Sequence, residues 1–256
     1  MSKTILVTND DGISANGIKA LVDVAKEFGQ VVVVAPDKPQ SAMGHAITIK
    51  KPLRIRKTDM FDGIEAYACS GTPVDCVKLA VDKILGHQHP DLCLSGINHG
   101  SNASINIIYS GTMSAAMEGA IEGIPSIGFS LDDFSDSADF KASKHYIRQI
   151  INVAIGNGFP ASKLLNVNIP KGKIQEIKGM QICRQAKAFW KEEFDERTDP
   201  FGEKYYWLTG KFINQEENVQ GTDIEALTNG YVSIVPVQYD LTSYTDLEML
   251  SEKWNF

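Results

Sequence analysis

At 256 residues with 43% hydrophobic side chains, the chain is long enough to build one large domain with a substantial core. Its formal net charge of −7 excludes a broad electrostatic grip on a nucleic-acid duplex or an anionic membrane, so any anionic ligand must be held locally. No apolar run approaches membrane-span length, and Met1-Ser2-Lys3 leads into a strand pattern without signal-peptide architecture, so a cytoplasmic protein is expected.

In chain order, apolar strand runs alternate with helical patterns, as in a doubly wound parallel sheet. Strands are expected at Thr4–Thr8, Gln30–Ala35, Asp91–Ser95, Pro125–Ser130 and Leu164–Ile169. The first helix, Ile18–Phe28, repeats its apolar residues at Ile18, Leu21, Val22 and Ala25 and stops at Gly29. A second starts with Thr72 as N-cap, Pro73 in the first helical position and Asp75 in the first turn, and runs to about Leu85. A third, Met113–Ile121, is capped by Ser110, and a fourth covers Asp139 to Gly156. From Met180 to Lys211 the chain turns aromatic and charged, with Phe189, Trp190, Tyr205, Tyr206 and Trp207 around turns at Asp199-Pro200 and Phe201-Gly202. This predicts an antiparallel hairpin extending from the core, whose exposed aromatics suit a subunit interface. Cys69, Cys76, Cys93 and Cys183 sit in apolar surroundings without a C-x-x-C pair and read as buried thiols, not zinc ligands or disulfides.

The chemistry concentrates where strands end. Thr4-Ile-Leu-Val-Thr-Asn-Asp-Asp-Gly-Ile13 runs an apolar strand into Asp10 and Asp11, beside a turn that Gly12 allows. Two readings stand for it: an Asx-turn closing the strand, or adjacent anions relieved by a hard divalent ion such as Mg²⁺ or Mn²⁺. The loop after the second strand brings Ser41, Gly44 and His45 to the same sheet edge, and Leu94-Ser-Gly-Ile-Asn-His-Gly100 adds the amide oxygen of Asn98. Two carboxylates, a hydroxyl and an amide are all oxygen donors suited to such an ion. Tyr109-Ser-Gly-Thr112 opens a helix whose free N–H groups, with Gly111 admitting close approach, make a phosphate seat unless Ser110 is only an N-cap. His45 and His99 lie in the loops of Ser41 and Asn98, placing either to protonate a leaving oxygen or contact a phosphate. His87 and His89 read as a helix-to-strand connection, and His145 as structural.

Two phosphate and sugar chemistries are excluded by single positions. Haloacid dehalogenase-type phosphatases need an Asp nucleophile where this chain has Asn9, and an amide cannot form an aspartyl phosphate. Zinc-dependent sugar deacetylases with a His-x-Asp-Asp start need a histidine where Thr8 stands. The surviving route is direct hydrolysis by a metal-activated water without a covalent phospho-enzyme.

Taken together, Thr8-Asn-Asp-Asp-Gly12, Ala35-Pro-Asp37, Ser70-Gly-Thr-Pro-Val-Asp-Cys76, Ser95-Gly-Ile-Asn98, Tyr109-Ser-Gly-Thr112, Gly221-Thr-Asp223 and Gly230-Tyr-Val-Ser233 resemble the SurE survival-protein nucleotidases, from Lys3 to about Leu241. The resemblance implies an α/β fold: a Rossmann-like three-layer sandwich around a mostly parallel sheet, plus a C-terminal β-hairpin arm used in oligomerisation. On that basis residues 1–256 form one domain, with a core of about 1–178 and 221–241 and an arm of about 180–215. It further implies a 5′-nucleotidase that also takes 3′-monophosphates, with one Mg²⁺ or Mn²⁺ per subunit, acting on nucleoside monophosphates as a homodimer or homotetramer. The family's metal ligands fall on Asp10, Asp11, Ser41 and Asn98, and its phosphate contacts on Asn9, Ser110, Gly111 and Thr112. Some members carry Gly after the ligating Ser, where this chain has Ala42. The alternatives are a nucleotide-binding stress regulator with little turnover and an interaction scaffold built on the aromatic arm.

Overall fold

The first apolar run, Thr4–Thr8, is strand β1 in the computed structural model, which describes residues 3–254 apart from residue 136. Its side chains alternate between two faces as a strand requires. Ile5 and Val7 enter one buried cluster while Leu6 enters another. Helix α1 (Asn16–Ala25) covers the first face with Ile18, Leu21 and Val22. It packs so close that a Cβ on Gly17 would stand 2.0 Å from the Ile97 carbonyl oxygen. Strand β2 (Gln30–Pro36) follows, then the short β3 (Ile55–Lys57) and β4 (Glu65–Cys69).

Helix α2 (Pro73–Leu79) begins with the expected cap. The Thr72 hydroxyl accepts from the Asp75 N–H at 3.1 Å, and Asp75 accepts from the Thr72 N–H at 2.9 Å. The expected helix to Leu85 changes character at Ala80–Ile84, which form a π-helical turn. Strand β5 (Leu92–His99) outruns the expected Ser95 because Ile97, behind the polar Ser95-Gly96 step, is fully buried. Then come α3 (Asn106–Tyr109), α4 (Gly111–Ile121), β6 (Ser126–Asp132), α5 (Lys141–Asn157) and β7 (Leu164–Pro170). The last elements are β8 (Met180–Ile182), β9 (Ala188–Thr198), β10 (Lys204–Asn214), α6 (Asp223–Thr228), β11 (Val232–Val237) and α7 (Tyr244–Lys253).

The main sheet has the order β3-β4-β2-β1-β5-β6-β7-β11-β8. Its central block, β4-β2-β1-β5-β6-β7, is parallel throughout, while β3 and β11 run antiparallel to their neighbours β4 and β7. Helices α1 and α5 share the cluster on one face, and α2 and α4 contribute Cys76, Val77 and Ala115 to the cluster on the other. The result is a Rossmann-like three-layer sandwich, in which β1 and β5 are the neighbours where the strand order reverses.

The expected hairpin is the separate pair β9–β10, with Lys204 opposite Thr198 near its tip and Asn214 opposite Ala188 at its base. Met180–Ile182, at the start of the expected arm, is a strand of the main sheet. All four cysteines are free and buried, and burial pushes the Cys93 thiol up to about 12, which keeps it protonated. Among the described residues, no helix is long and apolar enough to cross a membrane.

Candidate active site

Ligand sites of open α/β sheets lie beyond the carboxyl ends of strands at the switch point, and here β1 and β5 deliver Asp10, Asp11 and Asn98 to that place. Gly12, at φ +94°, turns the chain sharply after the aspartates in a conformation that glycine tolerates. The Gln40 N–H donates to the Asp10 carbonyl at 2.8 Å and the Ile13 N–H to the Pro36 carbonyl at 2.8 Å, stitching together the loops after β1 and β2. The start of α2 secures the far end of the Ser41 loop: the Thr72 hydroxyl donates to the Ala46 carbonyl at 2.7 Å, and the Thr48 N–H to Asp75 at 3.1 Å. Ala42 adopts φ +57°, the left-handed region that favours glycine. Beside it, the register of β5 and β6 shifts between Ser95 and Asn98, a bulge that re-aims the strand end.

These loops enclose a cleft of about 400 Å³ whose wall includes Asp10, Asp11, Ser41, Asn98, His99 and Ser110. Asp10 is 5% exposed, and burial lifts its carboxyl to about 6. The Thr112 hydroxyl, which donates to Asp10 Oδ1, pulls the other way, and the neighbouring charge of Asp11 adds to the rise. Burial also raises Asp11, against the opposing pull of His99. Among the described residues, Asp11 Oδ2 and Asn9 Oδ1 are buried without a hydrogen-bond partner. Asn98 spends its amide N–H groups on the His99 and Gly100 carbonyls at 3.2 and 2.8 Å, which leaves its Oδ1 as the group to offer a ligand.

Two raised carboxylates, an unpartnered carboxylate oxygen, a hydroxyl and a free amide oxygen fit a hard divalent cation. Among the described residues, no three His, Cys, Asp or Glu side chains converge as a metal cluster, so a cation at the acid pair would have to draw on neutral oxygens, and Ser41 and Asn98 share that cleft wall.

The residues expected to contact phosphate divide. Ser110 lines the cleft and caps α4, its hydroxyl accepting from the Met113 N–H at 3.0 Å. Gly111 packs on Asp10: a Cβ there would lie 2.7 Å from the Asp10 Cβ. Thr112 is fully buried with its hydroxyl on Asp10, and Asn9 is fully buried with Nδ2 donating to the Gly12 carbonyl at 2.9 Å. Of the two histidines, His99 lines the cleft, edge-on to Phe140 with ring centroids 5.3 Å apart. His45 instead meets Glu118, with Nε2 2.9 Å from Oε2.

The structure adds residues at and behind the cleft wall that the sequence did not mark for this role. Asn102 is buried in an amide network: its N–H donates to Asn168 Oδ1 at 2.7 Å, its Nδ2 to Ser130 at 2.8 Å, and Asn166 donates to its carbonyl at 2.9 Å. Asp223 accepts from the N–H groups of Ser104 at 2.7 Å and Ala186 at 2.9 Å, tying the hairpin base to the loop after β5. Trp190 of β9 reaches the cleft and donates Nε1–H to Asn106 Oδ1 at 2.8 Å. Phe134 also lines the cleft. A signal for Asn102 and Asn106 existed in the polar run following a buried strand; the sequence held none for Phe134.

Comparison with known proteins agrees with this geometry. The family model described as survival protein SurE matches residues 5–192. A relative named 5′-nucleotidase SurE from Christiangramia forsetii is 59% identical over 249 residues, covering 96% of this chain and 95% of its own. Another of that name from Flavobacterium psychrophilum is 58% identical over 253 residues, covering 98% of each. The crystal structure of the SurE protein from Aquifex aeolicus superposes with a TM-score of 0.84 at 41% identity, covering 97% of this chain and 98% of that one. With its matching motifs, fold and strand-end cleft, the chain belongs to the SurE survival-protein family.

Proposed function

We propose that this chain is a metal-dependent phosphomonoesterase that hydrolyses nucleoside 5′-monophosphates, and 3′-monophosphates as a second class, to nucleoside and phosphate. The relatives of 58–59% identity named 5′-nucleotidase SurE support the activity. The observation that carries the reading is the pair Asp10–Asp11 at the sheet's switch point, on the wall of one cleft with the start of α4 packed against Asp10.

Asp10, Asp11, Ser41 and Asn98 are the residues that would hold one Mg²⁺ or Mn²⁺. When bound, such an ion supplies charge stabilisation to the phosphoryl group and lowers the cost of ionising a water nucleophile. Thr112 keeps the Asp10 carboxylate oriented through its hydroxyl. The Gly111 N–H opens α4 beside Asp10 and is a donor for a phosphate oxygen, with the helix dipole favouring the anion. His99, the imidazole on the cleft wall, would protonate the departing nucleoside oxygen, a role supported over His45 by the His45 contact with Glu118. A covalent phospho-enzyme has no part in this reading, because Asn9 is a poor nucleophile whose amide is committed to Gly12. The exposed hairpin aromatics suit assembly into a homodimer or homotetramer.

The test is phosphate release from 5′- and 3′-AMP and GMP with Mg²⁺ or Mn²⁺, with chelator, and in Asp10→Asn. Metal-dependent release that disappears in the variant is the expected result. Tight nucleotide binding with no release would favour a nucleotide-binding regulator instead.

A further inference from the structure

The cleft does not end at the acid pair. A second cavity of about 320 Å³ adjoins it, and the two share Ser101, Asn106, Phe134 and Trp190 as wall residues. The first holds the Asp10–Asp11 pair; the second is walled largely by apolar side chains, among them Phe212, Ile224 and Leu227. A ligand spanning both would have an anionic head and a flat, largely apolar body.

Building on the nucleotidase reading, we propose that Phe134 and Trp190 form the nucleobase subsite and hold the base between their rings where the two cavities meet. Both aromatics are unusually open to solvent, at 80% and 41% exposure. Among the described residues they make no ring contact with each other, and both line each of the two cavities.

Trp190 is nevertheless held in place. Its Nε1–H donates to Asn106, and its ring lies edge-on to that of Phe212, the residue opposite it in the hairpin, with centroids 5.4 Å apart. Phe134 lies over Gly100, where a Cβ would come within 2.3 Å of its ring, so glycine two residues after Asn98 is what lets this ring sit beside the acid pair. Stacking tolerates every base, since each has a π-face. Asp132, on the wall of the second cavity, offers carboxylate oxygens to a base N–H edge. The base of the hairpin thereby becomes part of the substrate site, while Phe194, Phe201 and Trp207 further along it stay exposed for subunit contact.

The test compares AMP with ribose 5-phosphate, which keeps the sugar and the phosphoester but lacks the base, in wild type, Trp190→Ala, Trp190→Phe and Phe134→Ala. Each alanine variant should raise KM for AMP about 10-fold or more, with kcat and the ribose 5-phosphate kinetics within about twofold, and Trp190→Phe should restore most of the loss. Equal losses on both substrates would show that Trp190 and Phe134 only support the fold, and no loss on either would show that the base binds elsewhere; both outcomes overturn the subsite. Wild type hydrolysing ribose 5-phosphate as well as AMP would overturn it too while sparing the phosphatase reading. If wild type releases phosphate from no nucleotide, the nucleotidase reading fails first, and equilibrium binding of AMP then decides the subsite. Binding weakened about 10-fold by Trp190→Ala supports the subsite, and unaltered or absent binding overturns it.

Discussion

The imidazole of His45 stands 2.9 Å from the carboxylate of Glu118, a residue 2% exposed on α4, and Lys78 of α2 closes on the other carboxylate oxygen. The loop that carries Ser41 is therefore anchored to the helix whose first turn faces Asp10. Burial alone would raise the Glu118 carboxyl, but the His45 and Lys78 hydrogen bonds outweigh it and hold the group below its ordinary value of 4.5.

Glu118→Gln should destabilise the protein by about 2 kcal/mol at neutral pH, less than for a fully buried pair because Lys78 and His45 keep access to water. A depressed carboxylate contributes stability above its unfolded-state value and loses it as pH falls through the folded one. The difference between wild type and variant in urea denaturation should therefore be full at pH 7 and shrink below about pH 4.5. A pH-independent difference would show that packing, not charge, supplies the effect.

Asp10 has the opposite sign. Its carboxyl, raised from 3.8 to about 6, costs the metal-free fold about 3 kcal/mol once ionised, and this penalty grows as pH rises between those values. In the presence of chelator at pH 7, Asp10→Asn should melt higher than wild type while losing nucleotidase activity. Added Mg²⁺ should stabilise wild type more than the variant. A variant that melts lower in chelator would mean that Thr112 and the helix start already neutralise the cost.

Gly111→Ala tests the contact between α4 and the acid pair. The new methyl would meet the Asp10 Cβ at 2.7 Å and Oδ2 at 2.8 Å, distances that force the carboxylate to move. Activity should fall by about 100-fold or more, on the scale of a misplaced reacting group, and Mg²⁺ affinity measured by calorimetry should fall with it. Near-normal Mg²⁺ affinity and turnover would show that Asp10 needs no fixed position.

Asp223→Ala tests how the hairpin base reaches the cleft. The substitution strands the N–H groups of Ser104, Ala186 and Ile224, which now share one buried carboxylate. A loss of about 3 kcal/mol in denaturant stability is expected, with early hydrogen exchange at Ser104 and Ala186. Protection unchanged at both amides would rule out this tether.

The legible parts of the sequence were those with a local physical signature. The run before Asn9 is apolar and ends in acids, so strand and strand end could both be read. Thr72, Pro73 and Asp75 announce a helix start through interactions within one turn, and Ser110 does the same for α4. Strand β3 went unread because it spans three residues, too short for an alternation to register, and Met180–Ile182, equally short, was assigned to the hairpin arm. The π-helical turn after α2 also left no pattern distinct from a continuing helix.

By itself, then, the sequence determined the parallel α/β class, the strand-end positions of Asp10, Asp11, Ser41 and Asn98, the helix start behind Ser110, and the motifs that carry the family resemblance. These follow from periodicity, capping and residue chemistry, all of which act over a few residues. Only the tertiary structure decided that Thr112 serves Asp10, that His45 turns to Glu118 while His99 stays at the cleft, and that Trp190 leaves the hairpin to join the cleft wall. Those outcomes depend on which distant side chains share one buried space, and in that space each polar group takes the partner that best replaces its lost water.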